Sequence, residues 1–250
     1  MTGHFVGLIF AAALCVGEAM SAEGTAAETC AHPVSRNVNG HENIEWSIAY
    51  AYGIVREAHL PRVLLIGDSI LAQHEDLVRK ELDGRMTVSY WASSYCLTHP
   101  SYLKLLDFYL RENDFAVIHF NNGLHSLRTP TEEWTEALRE ALALIRRRCP
   151  KAKIVWRTST PLNDAAKAPR VRELNAAAAE VVAGQDGIAV DDLFAAMDPL
   201  DRAANWSDPF HFNAAARKIQ AKQVAASCLK AAGLSPEGPA GGATGRHLVK

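Results

Sequence analysis

Five short runs of apolar, β-type residues recur along the chain, each followed by a stretch with helical periodicity. This alternation limits the fold more than any other feature. The runs lie at 62–66, 86–91, 115–120, 153–157 and 187–190. They are continuously apolar rather than alternating, as strands covered on both faces should be. Helical patterns follow at 70–82, 100–111, 169–183 and 213–231. The clearest helix signal begins at Thr129-Pro130-Thr131-Glu132. It reads as Thr129 at the N-cap, Pro130 in the first helical position and Glu132 closing a capping box. Trp134, Leu138, Leu142 and Ile145 then form one apolar stripe, and Pro150 follows the end. Alternating β and α elements with short connections predict a three-layer α/β domain, a parallel sheet of about five strands with helices on both faces.

With 250 residues, 48% hydrophobic and 22% charged, the chain has enough apolar material for one sizeable core. A formal net charge of -2 without a basic block argues against nucleic acid as a partner. The run Arg146-Arg147-Arg148 closes a helix, where cations complement the dipole. Near the start, "FVGLIFAAALCVG" is too short to span a bilayer and is followed by small residues. It reads as a signal peptide over residues 1–22, cleaved near Ser21 or Ala22, and implies a periplasmic or secreted protein. No other segment has the length and apolarity of a membrane span. Residues 23–40 are expected to form a flexible arm, residues 41–232 one domain, and the Gly- and Pro-rich residues 233–250 a flexible tail. Cys15 leaves with the signal; Cys30, Cys96, Cys149 and Cys228 then suggest two disulfides, with three possible connectivities.

The first apolar run ends in Gly67-Asp68-Ser69, where strand gives way to helix. In parallel α/β sheets, ligands gather beyond the carboxyl ends of the strands, near the point where strand order reverses. Ser69 is therefore placed as a candidate nucleophile, although Asp68 and Ser69 would also serve as plain helix caps. A nucleophilic serine needs a base, a group that orients the base, and donors for the oxyanion. The third run exits into "HFNNGLH", with Asn121, Asn122 and Gly123 at the turn. After the fifth run, Asp208-Pro209-Phe210-His211 sets a carboxylate and an imidazole three residues apart. One side of a single turn can hold both, with Asp208 on Nδ1 and Nε2 left for a hydroxyl. No glycine-rich phosphate loop follows any of the runs, so no nucleotide is expected.

The blocks "VLLIGDSI", "IHFNNGLH" and "DPFHFN" resemble those of the SGNH (GDSL-type) hydrolase superfamily, the middle one being most similar to its Asn-x-Gly-Leu-His variant. The resemblance runs from residue 62 to about 228. It implies a flavodoxin-like, doubly wound fold and an esterase, lipase or carbohydrate deacetylase activity. Carried over by position, it makes Ser69 the nucleophile, His211 the general base and then acid, and Asp208 the group that orients it. Asn121, the first residue of the Asn-x-Gly-Leu-His pattern, becomes the side-chain oxyanion donor, with the Ser69 backbone N–H as a second. One departure stands out: the family's second block supplies a glycine N–H, and "WASSYCLTHP" contains no glycine. The backbone of Ser93 or Ser94 would have to substitute.

Ser94 and His125 are further candidates for contact with substrate, His125 having the alternative of holding its own loop by hydrogen bonding. His119, inside an apolar run, reads as a satisfied core residue, and His119 with His125 lacks metal spacing, so neither a metal nor another cofactor is expected. Asp191-Asp192, after the fifth run, reads as a helix start. The helices ending at Cys149 and Cys228 both run away from the site, which favours Cys149–Cys228 and, by elimination, Cys30–Cys96. The overall expectation is an exported serine esterase that cleaves short acyl esters, chiefly acetyl, on a small molecule or carbohydrate. An acyltransferase to a sugar hydroxyl, or a silent carbohydrate-binding protein of the same fold, are the alternatives. Oligomeric state is not legible.

Overall fold

The computed structural model describes residues 41–235. The expected signal peptide, the arm before residue 41, the tail after 235 and Cys30 lie outside the described residues. Within them is a six-stranded sheet in the order β1-β3-β2-β4-β5-β6. The strands are β1 (Ser47–Ala51), β2 (Arg62–Gly67), β3 (Thr87–Ser93), β4 (Val117–Phe120), β5 (Lys153–Arg157) and β6 (Ile188–Asp191). The helices are α1 (Ser69–Ala72), α2 (Glu75–Glu81), α3 (Tyr102–Arg111), α4 (Thr131–Arg148), α5 (Ala168–Ala183), α6 (Leu193–Met197), α7 (Arg202–Asn205) and α8 (Ala214–Ala231). No helix among the described residues is long and apolar enough to cross a membrane.

β2 to β6 pair in parallel and are the five strands that the apolar runs predict. Their order is that of a flavodoxin-like sheet, whose switch point falls between the first and third parallel strands, here β2 and β4. β1 is the addition. It pairs antiparallel with β3 at the sheet edge and is largely exposed although its sequence, SIAYA, is mostly apolar; the alternation of apolar runs and helices does not include it.

The pleat of β2 divides the core into two layers. Val63 and Leu65 join the residues of α1, α2 and α8, while Leu64 and Ile66 join those of α3 and α4. All six residues of β2 are buried, as a central strand covered on both faces must be.

Three local expectations change. The predicted helix 70–82 is two helices, because the chain breaks at Gln73–His74 and turns the His74 ring into the interior, where it is wholly buried. The N-cap of α4 is Pro130 rather than Thr129, with no side-chain cap bond; Thr129 lies in the preceding turn, donating its N–H to Ser126. The Cys149–Cys228 disulfide does not form, and both are free thiols. Cys149 ends α4 beside Leu110 of α3, whereas Cys228 sits in the layer of α2 and α8 across the sheet. Both helices do run away from the rim, but on opposite faces.

Candidate active site

Asp68 caps α1 by accepting the N–H of Ile70 at 3.0 Å, and this sets Ser69 at the carboxyl end of β2. As the first residue of α1, Ser69 has a backbone N–H with no intrahelical carbonyl to meet. The 207–213 loop brings the base to it. Ser207 N–H donates to the His211 carbonyl, Trp206 bridges to Phe212, and Asn213 caps α8 through the N–H groups of Ala215 and Ala216. Inside that loop Asp208 Oδ1 accepts the backbone N–H groups of Phe210 and His211, both at 2.8 Å.

The result is a continuous chain of side chains. Asp208 Oδ2 lies 2.8 Å from His211 Nδ1, and His211 Nε2 lies 2.8 Å from Ser69 Oγ. A carboxylate only accepts, so Nδ1 carries the proton and Nε2 offers its lone pair to the Ser69 hydroxyl. Desolvation pushes the Asp208 carboxyl up, but the two backbone donors and the imidazole outweigh it and hold it below the ordinary carboxylate range. Asp208 therefore keeps its charge opposite the imidazole at neutral pH.

The two asparagines after β4 face different ways. Asn121 is wholly buried, and its Nδ2 donates to the Arg157 carbonyl at 2.8 Å and to Ser159 Oγ at 3.1 Å. Both amide hydrogens are thus bonded toward the β5 side. Asn122 donates instead to the Tyr95 carbonyl at 2.8 Å, in the loop after β3. The Asn122 amide thus links the loops that follow β4 and β3, the two strands flanking β2. Its Oδ1 accepts from Ser126 Oγ, which fixes the amide orientation, and the Tyr102 hydroxyl also interacts with the Asn122 side chain.

Ser94 does not reach this space. Its N–H donates to the Trp46 carbonyl and its hydroxyl accepts the Trp46 N–H, so the residue holds the 41–46 segment against the sheet. Its backbone N–H is thus already bonded and its side chain is buried, and Ser93 is the last residue of β3. His125 takes the structural alternative: Nδ1 meets Glu42 Oε1 at 2.8 Å and the ring abuts Trp46 edge-on. Asp192 caps α6, as expected of it.

Among the described residues, His41, Glu45 and His99 each bring a ligand-type atom within 4.8 Å of the others, a cluster that sequence spacing gives no hint of. Glu45 Oε1 lies 2.9 Å from His41 Nδ1 and 3.3 Å from His99 Nε2. Ser101 N–H donates to His99 Nδ1, so the ring proton of neutral His99 sits on Nε2, which faces Glu45 instead of offering a lone pair.

Beneath the rim lies a buried polar group that the sequence pattern gave little sign of. His119 Nε2 meets Asp191 Oδ2 at 2.8 Å, and Gln223 donates to the other Asp191 oxygen. Arg157 and His74 complete the group, and all but Gln223 are buried. Burial, and then the Arg157 charge, push His74 down to about 3. Its ordinary value is about 6.5, so between these values the unfolded chain binds a proton that the folded chain refuses. Stability is therefore expected to fall as pH drops from about 6.5 to 4.5, by on the order of 1 kcal/mol per pH unit. Urea unfolding at several pH values should give that slope, and His74→Phe should flatten it.

Residues 108–219 match the GDSL-like lipase/acylhydrolase family. No curated protein sequence matches the chain. Solved structures share its fold at low identity. A carbohydrate esterase family 3 protein from Talaromyces cellulolyticus superposes with TM-score 0.57 at 13% identity, covering 70% of this chain and 99% of that one. A member of the lipolytic G-D-S-L family from Veillonella parvula gives 0.54 at 13%, over 65% of this chain and 94% of that one. A salicylyl-acyltransferase from a tetracycline biosynthetic pathway gives 0.54 at 18%, over 71% and 56%.

Proposed function

We propose that this chain, a member of the SGNH (GDSL-type) hydrolase superfamily, is a serine esterase that cleaves short acyl esters through an acyl-Ser69 intermediate. The observation that carries the reading is the unbroken chain from Asp208 through His211 to Ser69, with 2.8 Å at each link. His211 Nε2 takes the Ser69 proton as Oγ attacks the ester carbonyl carbon. The carbonyl π pair moves onto oxygen, and the oxyanion is met by the Ser69 backbone N–H and, in this reading, the Asn122 amide. When the tetrahedral intermediate collapses, the C–O bond to the alcohol breaks and the departing oxygen takes the proton from His211. Water then repeats the sequence on the acyl-serine, releasing the acid and restoring Ser69. Asp208 stays ionised throughout and steadies the imidazolium.

A carbohydrate acetyl ester is the substrate class we favour, supported by the fold shared with a carbohydrate esterase. Export from the cytoplasm belongs to the same reading, resting on the apolar N-terminal run. The shared fold with an acyltransferase supports a second reading, in which a sugar hydroxyl replaces water at the second step. Product analysis on an acetylated oligosaccharide with a free sugar acceptor present separates them. Free acetate alone is expected; acetyl appearing on the acceptor would establish transfer.

A further inference from the structure

Arg157 closes β5 and is 2% exposed, an unusual place for a guanidinium. Strand alternation explains its direction. Val155 packs in the layer of α1, α2 and α8, and Arg157, two residues on, faces the same layer. From there the side chain crosses β4 toward the end of β2. Its Nη2 donates to Asn121 Oδ1 at 2.6 Å, and the same nitrogen lies 3.8 Å from Asp68 Oδ1. A Cβ added to Gly67 would stand 3.7 Å from Nη2, so the guanidinium lies directly against the turn that carries the nucleophile. The Arg157 carbonyl meanwhile accepts from Asn121 Nδ2 at 2.8 Å. One residue therefore grips both ends of the Asn121 amide.

The two side chains that the guanidinium joins have a common relation to the chemistry. Asp68 immediately precedes Ser69, and Asn121 immediately precedes Asn122. We propose that Arg157 is a positioning residue that sets the spacing between the nucleophile turn and the oxyanion turn. The inference rests on the esterase reading above and adds a residue that touches neither substrate nor Ser69. Its charge is compensated by Asp68 and, more distantly, Asp191, so the link is held by attraction as well as by a hydrogen bond. Loss of the link would let the two turns drift while leaving Ser69, His211 and Asp208 intact. A displacement of about 1 Å far from the chemistry can cost about a hundredfold in rate.

The test compares Arg157→Met, which removes charge and donor at similar volume, with Arg157→Lys, which keeps both. On p-nitrophenyl acetate, Arg157→Met is expected to lower kcat by on the order of thirtyfold with KM within about threefold, and Arg157→Lys to recover most of it. A folded Arg157→Met with kcat within about threefold of wild type overturns the proposal, as does a loss that appears only in KM. Should Arg157→Met fail to fold, the wild-type chain itself answers: the Asn121 side-chain NH2 should exchange slowly by NMR, and exchange as fast as a surface asparagine overturns the grip. Wild-type protein that cleaves no ester and leaves Ser69 unlabelled by a fluorophosphonate counts against the esterase reading, whatever the exchange data say of Arg157.

Discussion

Ser69→Ala is expected to lower kcat for p-nitrophenyl acetate by roughly 10⁴-fold or more while leaving the fold intact. The size follows from the nature of the group removed. Without Oγ there is no acyl-enzyme, and what is left is binding plus oxyanion stabilisation, which in serine hydrolases retains only a small residue of the rate. The stability effect should be small. Ser69 is partly exposed, and the partner it deserts, His211 Nε2, belongs to a side chain about a quarter exposed that water can satisfy. An unfolding midpoint within a few degrees of wild type, with turnover at background, separates lost chemistry from lost structure. Turnover within tenfold of wild type would remove Ser69 from the mechanism.

Asn122→Ala is expected to give the second largest effect, a fall in kcat of about 10²- to 10³-fold with KM little changed. The contrast with Asn121→Ala makes the argument specific. Both residues are buried and bonded, so each loss should destabilise by about 1–3 kcal/mol, and activity must be compared per folded molecule. Asn121 has spent both amide hydrogens on Arg157 and Ser159, toward β5, whereas the Asn122 amide is turned the other way, toward Tyr95 in the loop after β3. Asn121→Ala therefore acts only through position: it breaks the same link to Arg157, and a loss in kcat of about thirtyfold, like that of Arg157→Met, is expected of it. If Asn121→Ala instead shows the larger loss, the oxyanion donor is Asn121 and its present bonds must break on substrate binding.

The parts legible in sequence share one property: they are local. Four of the five apolar runs announce β2 to β5 because a buried parallel strand needs nothing beyond its own residues to look buried, whereas β6, at the sheet edge, is apolar although mostly exposed. Asp208 and His211 could be paired on paper because three residues of one turn separate them, and Ser69 because it follows Gly67-Asp68 at a strand end. What failed to show depends on neighbours. The choice between Asn121 and Asn122 turns on which strand flanks β4 on each side, and no property of "FNNG" contains the sheet order. Nothing in the 153–157 run announces the role of Arg157, because its partners Asp68 and Asn121 follow β2 and β4, remote in sequence. β1 is apolar but no helix follows it, so it stands outside the alternation and only its pairing with β3 identifies it as a strand. The cysteine pairing failed for the same reason, since helix direction could be read from the chain but helix face could not.

The central claim is that Asp208 and His211 make Ser69 a nucleophile, and the most direct measurement is covalent. Treatment with diisopropyl fluorophosphate followed by peptide mapping should find a single adduct on Ser69, formed with loss of esterase activity and greatly slowed in His211→Ala. Unmodified protein, an adduct on a different serine, or labelling that proceeds equally well without His211 would contradict the account.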